Sequence, residues 1–161
     1  IQNEIAEIAS IEVNDYDATI HINNSVADFV FALDDINGVY QPSNIFYGLT
    51  PGLHTVFVRD IYNCNTISQQ FYVIGFPKYF TPNDDGNNDV WNIKGLDPTQ
   101  FQNVVIHVYN RYGKLLKVFN PNQSSGWNGK FNGELLTPDD YWFYLKLPDG
   151  KEYRGHFSLK I

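Results

Sequence analysis

Residues 136–161 read LTPDDYWFYLKLPDGKEYRGHFSLKI, and this stretch decides the fold class. Thr137-Pro138 sets a corner, because proline locks φ and Thr and Asp side chains favour turns. Two runs of aromatic and branched residues follow, separated by Pro148-Asp149-Gly150. Such side chains pack well on a pleated surface, and nothing in the runs has a helical period. The reading is a core leucine, a corner and an antiparallel hairpin. LTPGLHTVFVRD repeats the order from Leu49, and each copy leads to a last strand, ending in Ile74 or Ile161. A chain that closes twice in the same way is read as two sandwiches in tandem.

Short strand-like runs recur along the rest of the chain between clusters of Asn, Asp, Gly and Pro. In the first half they are IASIEVND, ATIHIN, DFVFALD, NIFYGL, LHTVFVRD and ISQQFYVI. In the second they are VWNI, NVVIHVYN, KLLKVF, YWFYLKL and YRGHFSLKI. In VVIHVYN, Val104, Ile106 and Val108 fall on one face and Val105, His107 and Tyr109 on the other. The fold class is all-β. Gly75 and Pro77 interrupt VIGFPKYF, which places the domains at 1–75 and 76–161. Units this small are near the lower size limit for a stable core, and abundant Phe, Tyr and Trp compensate by burying large apolar areas.

The 161 residues are 43% hydrophobic and 16% aromatic, the composition of a folded protein. A net charge of −7 with no basic cluster makes nucleic acid a poor partner. Acidity suits a soluble exported protein. The single Cys64 cannot form an internal disulfide, and with no basic neighbour closer than Arg59 it is not an activated thiolate. No run is long and apolar enough to span a bilayer, so no membrane span is expected. The start, IQNEIAEIAS, is not a secretory signal, and the chain has no Met. It reads as part of a longer protein.

From Phe76 to Ile161 the sequence resembles the type B C-terminal sorting domain of the type IX secretion system, the gliding-motility-associated C-terminal domain of Bacteroidetes. FPKYFTPNDDGNNDVWNI is similar to the opening signature of that family through Phe80, Pro82, Asn83, Asp85, Gly86, Asn88 and Asp89, with Asp84 where the family usually has Gly. VYNRYGKLL resembles its central turn through Asn110, Arg111, Tyr112 and Gly113, with Tyr112 in place of Trp. GWNGKFNG matches through Trp127, Asn128, Gly129 and Gly133, with Asn128 in place of Asp. The closing hairpin matches through Pro138, Tyr141 and Gly155. The resemblance implies an immunoglobulin-like sandwich that acts as a secretion signal. Its partners would be the translocon and a PorP/SprF-like outer-membrane protein, and its destination the cell surface or medium, by way of the periplasm and outer membrane. A monomer is expected. The first half is similar to immunoglobulin-like repeats of surface adhesins through FALD, LTPG and VFVRDIYNC, with His54 where such repeats commonly carry Tyr.

FTPNDDGNND, residues 80–89, is dense in oxygen ligands. With Gly86 as the sharp-turn glycine, Asn83, Asp85, Asn87 and Asp89, and Asn92 beyond them, fall at alternating positions of a calcium loop. Thr81 stands where such loops begin with Asp, and no Glu closes the set. The competing reading is a turn whose side chains bond their own backbone. No other cofactor is implied.

Catalysis is not expected. His21, His54, His107 and His156 are scattered, and no nucleophile or metal motif is present. Asp139-Asp140 beside Pro138 reads as a solvated turn. The rival to a secretion signal is a carbohydrate-binding or adhesive module, since Trp and Tyr on a sheet can stack sugars. Against it, Trp91 and Trp142 lie in strand segments and are expected in the core, and Trp127 is expected to anchor a loop. The terminal GHFSLKI is read as an edge strand open to a partner strand, with Lys160 as an alternative guard against aggregation.

Overall fold

The computed structural model describes residues 6–24, 28–62 and 65–161, and every named element in it is a strand. Cys64 lies outside the described residues. The chain forms two compact units, Ile1–Gly75 and Phe76–Ile161.

In the first unit β1 (Ile8–Asn14), β2 (Asp17–Ile22) and β4 (Ile45–Phe46) make one sheet, in the order β1-β2-β4. The strands β3 (Phe29–Leu33), β5 (Gly52–Asp60) and β6 (Thr66–Val73) make a second, in the order β3-β5-β6. Both sheets feed one core, with Ala18 and Ile20 of β2 clustered with Phe31, Val56, Val58, Phe71 and Val73. Strand parity also carries His54 and Asp60 of β5 inward. Asp60 is satisfied there by the N–H groups of Tyr62 and Asn65 in the turn that follows.

His54 is 7% exposed. Its Nε2 donates to the Thr50 carbonyl at 2.7 Å and its Nδ1 to Asp34 Oδ2 at 2.7 Å. Both partners are acceptors, an arrangement that favours the doubly protonated ring. Burial pulls its pKa down, but the Thr50 carbonyl and the Asp34 carboxylate outweigh burial and raise it above the ordinary 6.5. In the second unit Tyr141 donates its hydroxyl to the Thr137 carbonyl at 2.7 Å. His54 therefore closes the first Leu-Thr-Pro corner with the bond that Tyr141 makes at the second. A raised folded-state pKa gives stability that is complete below pH 6.5 and lost as pH climbs through the folded value. The first unit is expected to melt at progressively lower temperature above neutral pH, and His54→Tyr to flatten that dependence. An unchanged pH profile in the variant would show that the ring is not the titrating group.

In the second unit β7 (Tyr79–Phe80), β8 (Ile106–Tyr109), β9 (Leu115–Phe119), β12 (Asp139–Lys146) and β13 (Glu152–Leu159) make a five-stranded sheet, in the order β7-β13-β12-β8-β9. Only β7 runs parallel to its neighbour. A small hairpin joins β10 (Lys130–Phe131) to β11 (Glu134–Leu135) through Asn132-Gly133. Both turn residues have positive φ, 53° and 84°, which matches the right-handed twist of the strands.

Alternation sends Tyr141, Phe143 and Leu145 of β12, Phe157 and Leu159 of β13, and Ile106 and Val108 of β8 into the core. Two indoles cover that inner face. Trp91 stacks on Phe157 at 4.1 Å and 9°, and Trp127 meets Tyr141 edge-on at 5.1 Å. Reciprocal backbone bonds of 2.8 and 2.9 Å tie Trp91 to Trp127.

Three sequence expectations are corrected here. VWNI is not a strand, since only Trp91 makes a bridge, to Trp127. GHFSLKI is not an open edge along its end, because β7 pairs with Ser158 and Leu159, and Lys160 N–H donates to the Phe80 carbonyl. Trp142 is not in the core. The inward pointing of Tyr141 and Phe143 forces it outward, where it is 39% exposed.

Charge is unevenly divided. The acids split equally between the units, yet every Lys and Arg except Arg59 lies in the second. The first unit therefore carries −8 and the second +1, which together give the net −7.

Candidate functional site

The Asn/Asp loop is built around one carboxylate. Asp89 Oδ1 accepts the N–H of Asp84 at 2.8 Å and of Asn83 at 3.2 Å, and its Oδ2 accepts the N–H of Gly86 at 2.7 Å. Asp85 Oδ1 takes the N–H of Asn87, and Asn83 Oδ1 takes that of Asp85. Thr81 N–H closes the loop on the Asn88 carbonyl at 2.7 Å, and Thr81 Oγ1 donates to the Asn87 carbonyl. Oxygens of Asn83, Asp85 and Asp89 proposed as calcium ligands thus serve backbone N–H groups, and the Asn87 carbonyl serves the Thr81 hydroxyl. Asn92 turns away, its side-chain amide donating to the carbonyl of Pro121. Among the described residues no group of three His, Cys, Asp or Glu side chains is placed to hold a metal ion.

Wrapping backbone about Asp89 requires left-handed residues at Asp84 (φ 60°), Gly86 (φ 85°) and Asn88 (φ 54°). Asp and Asn tolerate this conformation better than most residues, though less well than Gly. Asp84 stands where the resembling family usually has Gly, and it adopts the conformation nonetheless. Asp84→Gly is expected to stabilise the second unit by about 0.5–1 kcal/mol. Urea titration tests this, and a destabilised variant would mean that the Asp84 side chain holds the loop.

The central turn uses the same device. Asn110 Oδ1 accepts the N–H groups of Tyr112 and Lys114, and Gly113 takes φ 82°. Tyr112 projects from it, 86% exposed. Arg111 reaches Asp139 Oδ2 at 3.6 Å, which joins this turn to the corner at Pro138. Beside that ion pair a groove of ≈ 200 Å³ runs between Tyr112, Leu136 and Tyr141. Burial raises the Tyr141 phenol above the ordinary 10.0 and the Asp139 charge adds to it, against the opposing pull of the Thr137 bond, so it remains a donor to Thr137.

The third motif centres on the buried Trp127. Trp127 Nε1 donates to the Lys130 carbonyl, Asn128 Oδ1 accepts the Lys130 N–H, and Gly129 lies against Leu159 and Phe80. Phe80 is buried, 5.6 Å from the Trp127 ring. Gly155 lies under its cross-strand partner Phe143, whose ring covers the bare backbone. Phe80, Trp127, Gly129 and Tyr141 are therefore gathered in one cluster. The 83–89 loop and the Asn132-Gly133 turn stand apart from it.

The Asp139-Asp140 pair divides. Asp139 faces Arg111, and Asp140 accepts the Ser158 hydroxyl at 2.6 Å. His21 lies beside Glu12 at 3.1 Å, while His107 and His156 share the outer face of the five-stranded sheet. No helix in the described residues is long and apolar enough to cross a membrane.

The second unit thus covers the inner face of its five-stranded sheet with indoles and holds its turns with side-chain carbonyls and carboxylates. Residues 74–159 match the family profile of the CHU_C type IX secretion signal domain, and the chain belongs to that family. None of the curated proteins matches it. Among solved structures it is similar to dimeric latent PorU from Porphyromonas gingivalis, at 16% identity and a TM-score of 0.38 over 96% of this chain and 20% of that one. Tp47, the 47-kilodalton lipoprotein of Treponema pallidum, gives 12% identity and 0.27 over 94% and 50%. The mixed-linkage glucan utilisation protein SGBP-B of Bacteroides ovatus, solved with a heptasaccharide, gives 10% and 0.30 over 99% and 48%. The chain thus spans half or less of each of these proteins.

What the sequence reading missed is the outer face of the sheet, where Tyr109, Trp142 and Tyr144 stand together. The signal was available: once Tyr141 is placed inside by its corner bond, parity puts Trp142 and Tyr144 outside.

Proposed function

We propose that residues 76–161 are a type B sorting signal, read as a folded surface by the type IX translocon and a PorP/SprF-like outer-membrane protein. The cargo is delivered from the periplasm to the cell surface or medium. The observation that carries this is the division of labour among the motif residues. One set packs the interior, while the Asp89-centred loop and the Tyr112 turn project with fixed shapes and few apolar contacts of their own. Rigid loops on a packed scaffold are what a partner can recognise. The domain works as a monomer and without catalysis, a reading supported by its motif carboxylates, since Asp85 and Asp89 are engaged by backbone N–H groups of their own loop and Asp139 by Arg111. The first unit is an immunoglobulin-like repeat of a surface adhesin that precedes the signal.

The test is transfer. A periplasmic reporter fused to residues 75–161, in a Bacteroidetes host with the system intact, is expected outside the cell, and its retention in the periplasm defeats the proposal. Within the loop, Asp89→Ala removes the acceptor of three N–H groups and is expected to cost about 1.5–3 kcal/mol and to reduce export. Asp85→Ala, which loses one bond, is expected to do less. A chelator is expected to leave the melting temperature unchanged, and a fall reversed by added calcium would favour the metal reading of the loop.

A further inference from the structure

The outer face of the second unit's sheet carries a grid of rings. Trp142 is flanked across the strands by Tyr109 of β8 and His156 of β13, and Tyr144 by His107 and Arg154. Directly opposed residues share a face, so six side chains form two adjoining rows. Trp142 and His156 lie 5.9 Å apart, His107 and Tyr144 6.1 Å, and the Arg154 guanidinium sits 5.0 Å over the Tyr144 ring. An open groove of ≈ 450 Å³ runs along Tyr109, Trp142, Tyr144 and Arg154.

We propose that this face is a binding platform for a neutral saccharide chain, a second function independent of export. Every member of the grid joins a flat or planar group to a polar tip, which matches a pyranose with its apolar C–H face and its rim of hydroxyls. Among the described residues neither the Trp142 indole N–H nor the Tyr109 hydroxyl makes a hydrogen bond, so both are available to a ligand. His107 Nδ1 is buried without a hydrogen-bond partner among the described residues. Arg154 and Glu152, 3.5 Å apart, add charged groups able to bond hydroxyls. The near-neutral charge of this unit favours an uncharged ligand over an acidic polysaccharide. The groove is of the size that takes a small ligand.

Trp142 is also the reporter. Trp91 is fully buried and Trp127 is 1% exposed, so solvent-sensitive tryptophan emission comes from Trp142. Hexasaccharides of β-linked glucose and of mannose, titrated into the whole chain, are expected to give a saturable blue shift and to shield Trp142 from acrylamide. Calorimetry of the same mixtures should show affinity falling at least about tenfold in Tyr144→Ala and in Tyr109→Ala, which lie on different strands, with melting temperature and reporter export unchanged. No saturable response to any neutral oligosaccharide on an array would overturn the proposal. So would binding that survives both substitutions. If the same substitutions abolish export of a correctly folded chain and no sugar binds, the face reads a protein and the saccharide assignment fails.

Discussion

Trp91→Ala will lower the stability of the second unit by about 3–5 kcal/mol, the loss typical of a fully buried indole. Trp91 is 0% exposed, stacks on Phe157, contacts Phe143 at 5.1 Å, and donates Nε1–H to the Pro77 carbonyl at 2.8 Å. Its removal opens a cavity, strands a carbonyl, and loosens the pairing with Trp127 that carries the 126–135 segment over the sheet. Trp91→Phe should recover part of the loss, because a ring still stacks on Phe157. For a domain of this size each kcal/mol moves the melting point by about 4–8 °C, so calorimetry resolves both variants. The transition of the first unit serves as an internal reference. An alanine variant that melts within about 1 kcal/mol of the parent would remove the indole pair as the organiser of this core. Export should fail with the fold, since the proposed signal is the folded surface.

Gly129→Ala is the second large effect. Gly129 has φ +79°, and a Cβ there would lie 2.9 Å from Leu159 Cδ1, with Leu135 Cδ1 and Phe80 Cζ each at 3.3 Å. Left-handed backbone costs a non-glycine residue about 1–2 kcal/mol, and forcing an extra methyl into a packed site about 1–3 kcal/mol more. The sum is about 2–5 kcal/mol. Gly113→Ala is the matched control, because Gly113 has φ +82° with nothing within 4 Å of the added carbon. The control should lose the backbone part alone. Equal losses in the two variants would mean that Leu159 moves aside freely and that packing at Gly129 is not tight.

Much of this architecture was legible because strands write their faces into the sequence with period two. Val104, Ile106 and Val108 read as one face and are all buried. The echoed Leu-Thr-Pro hairpins appear as β5–β6 and β12–β13, each antiparallel. The acceptors in the 83–89 loop were legible too, since Asx side chains bond backbone close by in sequence. Which carboxylate became the hub was not legible, because Asp89 reaches back to N–H groups on the far side of the loop.

Composition and alternation, by themselves, determined an all-β chain with two Leu-Thr-Pro corners and the order of its turns, because these depend on neighbours a few residues apart. Tertiary structure alone decided that Trp91 and Trp127 would cover one sheet, that β7 would guard the terminal strand, and that His54 would meet Asp34. It also decided that Trp142 would join Tyr109 and His156 on an outer face. Each of these rests on contacts between residues far apart in the chain, and such partners are chosen by how the strands pair and what volume remains to be filled.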